Sequence, residues 1–373
     1  MTSIAMPKLL GGGLTPWKRR AVFLAVGLVF LVVMPAALSG FRLALLGKYL
    51  CFAIIAIGID LAWGYGGMLT IGQGLFFGLG GYCMGMLLKL QEAGPGNLPD
   101  FMVWSGVETL PGLWKPFASP GFALAGAVVI PMVVAALLGA LIFRRRVRGA
   151  YFAILMQALC AAFAILLIGQ QGITGGTNGL TNVTSFMGYD LNDPVNQRSL
   201  YILIAVCLGV VYLLARQIVE SRYGRVLMAV RDREDRVRFL GYNPTTIKII
   251  AFAISAGMAG LAGALFVPVV GIISPAMVGI VPSIEMVIWV ALGGRGTLIG
   301  AVVGALLVNY AKTALSEAYP SGWLYFQGLL FVIVMAFAPK GVAGLWKMYN
   351  DRFRSSKTAP AAESLAQPAE VTT

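Results

Sequence analysis

The chain has 373 residues, of which 58% are hydrophobic and 12% are charged, and its formal net charge is +13 at pH 7. Soluble domains carry about 25% charged residues, so this composition excludes an ordinary soluble protein. The sequence contains no histidine, and its four cysteines lack metal-type spacing. Histidine-based catalysis and the usual zinc sites are therefore excluded. We expect an integral membrane protein with no metal site, no catalytic residues and no enzymatic activity of its own.

Apolar blocks of about 20 residues follow one another along the chain, and this is the length that a helix needs to cross a bilayer. The blocks lack the short alternating pattern of an outer-membrane barrel. The sequence therefore predicts an all-α polytopic membrane protein with about ten transmembrane helices. The predicted spans are 21–39, 43–63, 68–88, 121–143, 150–169, 199–216, 247–270, 282–293, 297–315 and 323–338.

Lysine and arginine collect in alternate loops, and this sets the orientation because short cytoplasmic loops hold the excess of positive charge. The pattern places both termini in the cytoplasm and the loops at 89–120 and 170–198 outside. Arg42 and Lys48 fit less well, because they fall at the outer end of the second span. We therefore attribute the positive charge to this orientation bias, in a protein that contacts membrane lipid. No nucleic-acid-binding motif is present in the sequence.

The predicted domain organisation has three parts. Residues 1–20 form a cytoplasmic N-terminus, 21–345 a transmembrane domain with a cytoplasmic loop at 217–246, and 346–373 a polar, disordered cytoplasmic tail. The first apolar run has the length of a full span, which favours an uncleaved helix. The sequence AALSG at its end leaves cleavage open as the alternative.

Few ionisable groups fall inside the predicted spans, and this bears on how the protein is powered. Asp60, Glu285 and Lys312 all lie near span ends, where interfacial charges are expected. The sequence lacks a phosphate-binding loop with its lysine. If the chain takes part in ATP-driven transport, the ATPase must be a separate protein.

An arginine-rich stretch, RYGRVLMAVRDREDRVRFLGYN at 222–243, interrupts this apolar sequence. Apolar residues form one stripe at 226–230 and another at 237–240, so two short amphipathic helices joined by a polar elbow are predicted. Asn243 is a candidate N-cap, with Pro244 at the first position of the next helix. A charged helix of this kind can lie in a groove of a soluble partner. The alternative is a solvated loop that serves topology alone.

Three motifs in order carry a family resemblance. They are WGYGGMLTIGQGLFFGLGGY at 63–82, ITGGTNGL at 173–180, and the stretch from ESRYGR to LAGAL at 220–265. These resemble the third-span signature, the outer glycine loop and the coupling loop of ABC importer permeases of the branched-chain amino acid type. The stretches at 98–117 and 283–330 resemble the second permease subunit of urea importers. Gln73 departs from the family pattern, since many relatives have histidine there, so position 73 is given no titrating role.

The resemblance, which covers residues 50–345, implies a complex in the bacterial inner membrane. Its parts are two different permeases, two ATP-binding subunits that hold ATP and magnesium, and a periplasmic substrate-binding protein. The chain itself would hold no cofactor. The expected function is import of urea or short-chain amides. The alternatives are a branched-chain amino acid permease, a urea or amide channel that needs no cytoplasmic partner, and a membrane scaffold without transport.

Three sets of candidate site residues follow. The expected ATPase-coupling residues are Arg231, Glu234, Asp235 and Gly241. The expected translocation path contains Thr70, Gln73, Gln157 and Asn309. Uncharged hydrogen-bonding groups suit a small neutral solute, although such groups also join helices to one another. The expected outer gate loop contains Gly175, Gly176, Thr177, Asn178 and Gly179, and its alternative is a flexible connection.

Glycines crowd two parts of the sequence, the third span and the junction of the eighth and ninth spans. Gly66, Ile71 and Gly72 match Gly294, Ile299 and Gly300 at one offset. A pair of Gly-interrupted segments in corresponding halves indicates an inverted repeat with the path between the halves. Chance similarity in glycine-rich sequence is the alternative.

Overall fold

The computed structural model describes residues 27–147 and 149–319, together with positions 322, 325, 328, 329 and 332. The part of the chain that it describes is mainly helical. Its long helices are α1 Gly40–Ile59, α2 Gln73–Ala93, α3 Pro120–Arg144, α4 Ala150–Gly169, α5 Pro194–Glu220, α6 Arg222–Phe239, α7 Pro244–Val270, α8 Ile280–Gly293 and α9 Leu298–Ala318. The short helices are Val29–Val33, Met34–Ala37, Asp60–Tyr65, Asp100–Trp104, Lys115–Ala118, Gln171–Thr174 and Pro275–Met277. One antiparallel hairpin pairs β1 Ser185–Phe186 with β2 Tyr189–Asp190.

Seven helical stretches within the described residues are long and apolar enough to cross a membrane. They are Gly40–Tyr65, Pro120–Arg144, Ala150–Gly169, Pro194–Glu220, Pro244–Val270, Pro275–Gly293 and Leu298–Ala318. Each corresponds to a predicted span, so the prediction of an all-α polytopic membrane protein is confirmed. The predicted first span lies partly outside the described residues, and the predicted tenth span lies almost wholly outside them. The predicted N-terminal and C-terminal segments also lie outside the described residues.

α7 and α1 form the centre of the bundle. The most apolar part of α7 is 78% buried, and that of Gly40–Tyr65 is 72% buried. The corresponding parts of α4 and α5 are only 28% and 22% buried. α7 packs against α1, α2 and α3, and α5 packs mainly against α1. The central helices therefore contact protein on most sides, while α4 and α5 expose broad apolar faces.

α2 and α7 approach each other to backbone contact. A Cβ on Gly80 would overlap with the carbonyl oxygen of Gly260, and a Cβ on Gly263 would overlap with that of Phe77. Small residues allow this approach, which van der Waals contact stabilises where no water is present to drive apolar association. Glycine at these positions fixes the distance between the two helices.

The predicted third span begins later than expected because the chain is not helical before it. α1 continues through the π-helical turn Asp60–Tyr65, and residues 66–72 then run without helical structure until α2 begins at Gln73. Gly67 has a φ of 73°, a conformation that favours glycine. The glycines of this segment thus break the helix where the sequence prediction continued it.

The two glycine-rich segments lie side by side at one end of the bundle. The Asp60 carboxylate accepts the N–H of Gly296, between α8 and α9, at 2.6 Å. A two-fold axis in the membrane plane would place equivalent segments at opposite ends. The match between the segments is therefore no evidence for the inverted repeat, which stays a prediction.

Buried charges occupy both ends of the bundle. Asp60 is completely buried by protein at one end. At the other end, Lys312 Nζ lies 3.0 and 2.8 Å from the two oxygens of Glu285. Lys48 lies within electrostatic range of both residues. Lys48 Nζ also lies over the Phe52 ring, 5.8 Å from its centroid, and this contact favours a charge at a position that the charge pattern alone did not favour.

Candidate functional site

The arginine-rich segment, residues 221–243, comprises α6 and the turn that leads into α7. Ser221 caps α6 by accepting the N–H of Gly224 at 3.2 Å, and Asn243 caps α7 by accepting the N–H of Thr245 at 3.0 Å. α6 is broken at Arg233, where φ is −151° and ψ is 81°. The predicted elbow and the predicted Asn243 cap are thus both present.

Three hydrogen bonds fasten the arginine-rich segment to the membrane helices. The Tyr223 hydroxyl donates to the carbonyl oxygen of Ile247 at 2.8 Å, and burial raises the pKa of Tyr223 above its usual value. Arg231 Nη1 donates to the carbonyl oxygen of Gly64 at 2.6 Å. Lys248 Nζ lies 2.6 Å from Glu234 Oε2. A segment held at three points moves with the helices that it contacts.

Of the four predicted coupling residues, Arg231, Asp235 and Gly241 are exposed and Glu234 is largely buried. Arg231 and Glu234 make the contacts that hold the segment to the bundle, and the Glu234 side chain is only 13% exposed. Asp235 and Gly241 lie on the exposed side. Whether any of them meets a partner stays a prediction.

An exposed apolar tip follows the break in α6. Phe239 is 91% exposed, Leu240 75% and Tyr242 53%. Gly241 lies between them with a φ of 85°, which turns the chain at this point. Leu240 belongs to the apolar stripe predicted at 237–240, but of Val237 and Leu240 only Val237 is buried. The sequence signal for this tip was a group of large apolar residues beside a glycine within a run of charged residues.

A cleft of about 320 Å³ separates the arginine-rich segment from the broken end of α1. Its lining includes Gly66, Gly67 and Gly149 together with the charged side chains of Arg231 and Glu234. The cleft borders the non-helical residues 66–68, so it lies next to the break between α1 and α2.

A buried polar cluster lies where α2 begins. Gln73 Nε2 donates to Ser255 Oγ at 2.9 Å and to Thr70 Oγ1 at 3.2 Å. Ser283 Oγ accepts the N–H of Gly74 at 3.2 Å and lies 3.1 Å from the Cys160 thiol. We define the polar cluster as Thr70, Gln73, Cys160, Ser255 and Ser283, none of which carries a formal charge in its hydroxyl, amide or thiol form. Gln73 Oε1 is buried without a hydrogen-bond partner.

The structure brings together two of the four predicted path residues. Thr70 and Gln73 are buried and hydrogen-bonded to each other. Gln157 is partly exposed on α4, and Asn309 donates to the carbonyl oxygen of Ala305 in its own helix at 2.8 Å. The last contact fits the alternative in which an amide serves its helix. The path assignment of all four residues stays a prediction.

The path residues predicted from the sequence did not include Cys160, Ser255 or Ser283 of this cluster. Ser255 contacts a residue 182 positions away, and Ser283 one 209 positions away. Short-range patterns carry no information on such pairs. The available signal was a small hydroxyl residue inside an otherwise apolar span.

The glycine loop, residues 173–183, lies at the opposite end of α7 from the arginine-rich segment. Gly175, Gly176 and Gly179 all have positive φ values, of 79°, 58° and 70°. Leu180 and Ile273 exchange two backbone hydrogen bonds, at 2.9 and 3.0 Å. The loop is therefore a defined structure fastened to the end of α7, and its role as a gate stays a prediction.

Polar groups surround the glycine loop. Thr177 and Asn178 are exposed at its tip. The Trp114 indole donates to the carbonyl oxygen of Ile173 at 2.9 Å, and Lys89 Nζ donates to that of Asn182 at 3.2 Å. The loop thus presents uncharged hydrogen-bonding groups on a base held by neighbouring segments.

Within the described residues, no group of three or more histidine, cysteine, aspartate or glutamate side chains is placed to hold a metal ion. Cys51, Cys83, Cys160 and Cys207 are all free thiols.

Comparison with known proteins gives the family. Residues 41–337 match the family described as branched-chain amino acid transport system, permease component. The chain is 27% identical to the high-affinity branched-chain amino acid transport system permease protein LivM of Salmonella typhimurium, over 87% of this chain and 75% of that protein. It is 25% identical to the corresponding permease protein LivH of Escherichia coli, over 79% of this chain and 91% of that protein. No solved structure matches the chain. Because the family match spans most of its length, the chain belongs to the branched-chain amino acid transport system permease family.

Proposed function

We propose that the chain is one of two pore-forming permeases of an ATP-driven importer in a bacterial inner membrane, with ATP hydrolysis on separate subunits. The observation that carries this proposal is the arginine-rich segment, which combines an exposed apolar tip with three hydrogen bonds to the membrane helices. Relatives named LivM and LivH are both permease proteins of one kind of transport system, which supports a second permease as partner.

The arginine-rich segment suits force transmission from a soluble partner. Phe239, Leu240 and Tyr242 offer apolar anchors for a groove on an ATPase, and such anchors dominate the affinity of protein interfaces. Movement of the tip would then reach the Gly64 turn through Arg231, because a hydrogen bond from a charged donor to a carbonyl group is comparatively strong. In this proposal the segment lies in the cytoplasm, the glycine loop faces a binding protein outside, and both termini are cytoplasmic.

Branched-chain amino acids are the first candidate cargo. The matched family and the relatives named LivM carry that substrate class in their names. The identities of 22% to 27% support the class of transporter more strongly than a particular solute.

Urea is the second candidate, and the polar cluster favours it. Urea is neutral and rich in hydrogen-bond donors and acceptors, which amide and hydroxyl groups such as Gln73, Thr70 and Ser255 can satisfy. An amino acid zwitterion brings two charges that these groups do not neutralise. The resemblance of residues 98–117 and 283–330 to urea importer permeases adds support.

Reconstitution of the complete importer in liposomes tests the proposal. We expect ATP-dependent uptake of radiolabelled leucine or urea in the presence of the matching binding protein, and the labelled solute that enters decides between the two cargoes. Gradient-driven urea flux through the chain alone, at channel rates, would overturn the importer in favour of a channel. Absence of uptake of both solutes and of other small amides and amino acids would instead favour a scaffold.

The contact with the ATPase has its own test. We expect L240S to weaken co-purification of the ATPase, because Leu240 is exposed and its loss removes an anchor without disturbing the core. Y189S, at an exposed tyrosine in β2, is the matched control. Equal retention of the ATPase by both variants would contradict the role of the tip.

A further inference from the structure

Asp60 is a buried carboxylate to which the proposed function assigns no role. It lies in the π-helical end of α1 and has no exposed surface. Its Oδ1 accepts the N–H of Gly296 at 2.6 Å, and its Oδ2 has no hydrogen-bond partner among the described residues. A carboxylate inside a membrane protein is costly, and such groups usually have a functional reason.

Asp60 joins two breaks in the helical structure. We define the first junction as residues 60–67, between α1 and α2, and the second junction as residues 294–297, between α8 and α9. A Cβ on Gly64 would overlap with Asp60 Oδ1 and with the backbone nitrogen of Gly296, so the junctions are in backbone contact. Arg295 also lies over the Trp63 ring, 5.7 Å from its centroid. The junctions therefore cannot shift independently without losing these contacts.

The arginine-rich segment contacts the first junction directly. Arg231 Nη1 donates to the carbonyl oxygen of Gly64, and a Cβ on Gly67 would lie 2.7 Å from Arg231 Cγ. The contacts thus run from Arg231 to the Gly64 turn, then through Asp60 to Gly296.

We propose that Asp60 is a positioning residue that transmits movement of the arginine-rich segment to the second junction, by accepting the Gly296 N–H. The transport role of this movement rests on the proposed function. α8 carries Ser283 of the polar cluster, and α9 follows the second junction. Movement at Gly296 would therefore alter the surroundings of the cluster, so that ATP hydrolysis on a partner could open or close it.

Amide hydrogen exchange in the full chain tests the connection without any assumption about cargo. R231A should raise exchange of residues 294–300 by roughly tenfold in the wild-type background, but by less than about twofold in the D60A background. D60N keeps an oxygen acceptor, so R231A should retain its effect there. R225A, at an exposed arginine of α6, should leave exchange at 294–300 unchanged.

Two results would overturn the proposal: an equal R231A effect with and without Asp60, or a D60N chain that behaves like D60A. If D60A fails to fold, G64A replaces it, because the added methyl forces the junctions apart. G209A is its control, since a Cβ on Gly209 would meet no atom within 4 Å.

Transport measurements on the reconstituted importer then test the consequence. D60A and G64A should lower the number of solute molecules imported per ATP by roughly tenfold, while D60N and G209A stay within about twofold of wild type. Wild-type coupling in D60A would overturn the proposal. A failure of the wild-type complex itself to couple ATP to uptake would contradict the proposed function, and the exchange measurements would still decide the role of Asp60.

Discussion

Replacing Gly179 with alanine should loosen the glycine loop from the end of α7. Gly179 has a φ of 70°, and a Cβ there would overlap with the Ile273 carbonyl oxygen and lie 2.6 Å from Ser274 Cα. The methyl group therefore displaces the backbone that forms the two Leu180 to Ile273 hydrogen bonds.

The magnitude has two parts that a control variant separates. A left-handed conformation costs a non-glycine residue about 1–2 kcal/mol, and overpacking adds about 1–3 kcal/mol. Gly188 also has a positive φ, of 87°, but a Cβ there would meet no atom within 4 Å. G179A should thus destabilise the native loop by about 2–5 kcal/mol, and G188A by about 1–2 kcal/mol.

The assay compares thermal unfolding, proteolysis of the loop and ATP-dependent uptake in the two variants. We expect G179A to be cleaved faster within residues 175–183 and to transport less than G188A. Equal cleavage and equal uptake in both variants would show that the Cβ overlap does not hold the loop, and would refute the reasoning.

Three further predictions concern the other sites. Cysteine at position 70 or 73 should react with a small hydrophilic thiol reagent during turnover, whereas complete protection at both would contradict a water-lined path. E234A should destabilise the chain by about 1–3 kcal/mol, since it leaves the largely buried Lys248 without its carboxylate, while E108A at an exposed glutamate should change stability by less than about 0.5 kcal/mol in thermal unfolding. E285Q should cost about 1–2 kcal/mol, a value reduced because Lys312 is 36% exposed, and unchanged stability would show that solvent screens the pair.

The helix boundaries could be predicted where local chemistry sets them. Asn243 and Pro244 start α7 because an amide side chain and a proline satisfy the first turn. The start of α2 was predicted too early, because the apolar residues around Met68 continued the span while Gly66 and Gly67 ended the helix. Hydropathy indicates only which residues tend to be buried, whereas backbone conformation decides where the helix begins.

The candidate sites were predicted less well because their geometry depends on distant residues. Glu234 resembles an exposed charge in the sequence, yet Lys248, one turn into α7, holds it against the bundle. Gln73 could be proposed from its polarity alone, whereas Ser255 and Ser283 meet it and Gly74 only because α7 and α8 cross α2 there. Asp60 required knowledge of Gly296, 236 positions away.

The contact of α2 with α7 restricts which parts of the protein change shape during a transport cycle. In each helix a carbonyl oxygen occupies the space that a β-carbon would fill on a glycine of the other helix, so the two backbones interlock. Sliding by one residue would bring larger side chains into that space, so the pair has a single stable register. In the proposed importer, alternate access would therefore move α2 and α7 together as one unit relative to other helices, such as the less buried α4 and α5.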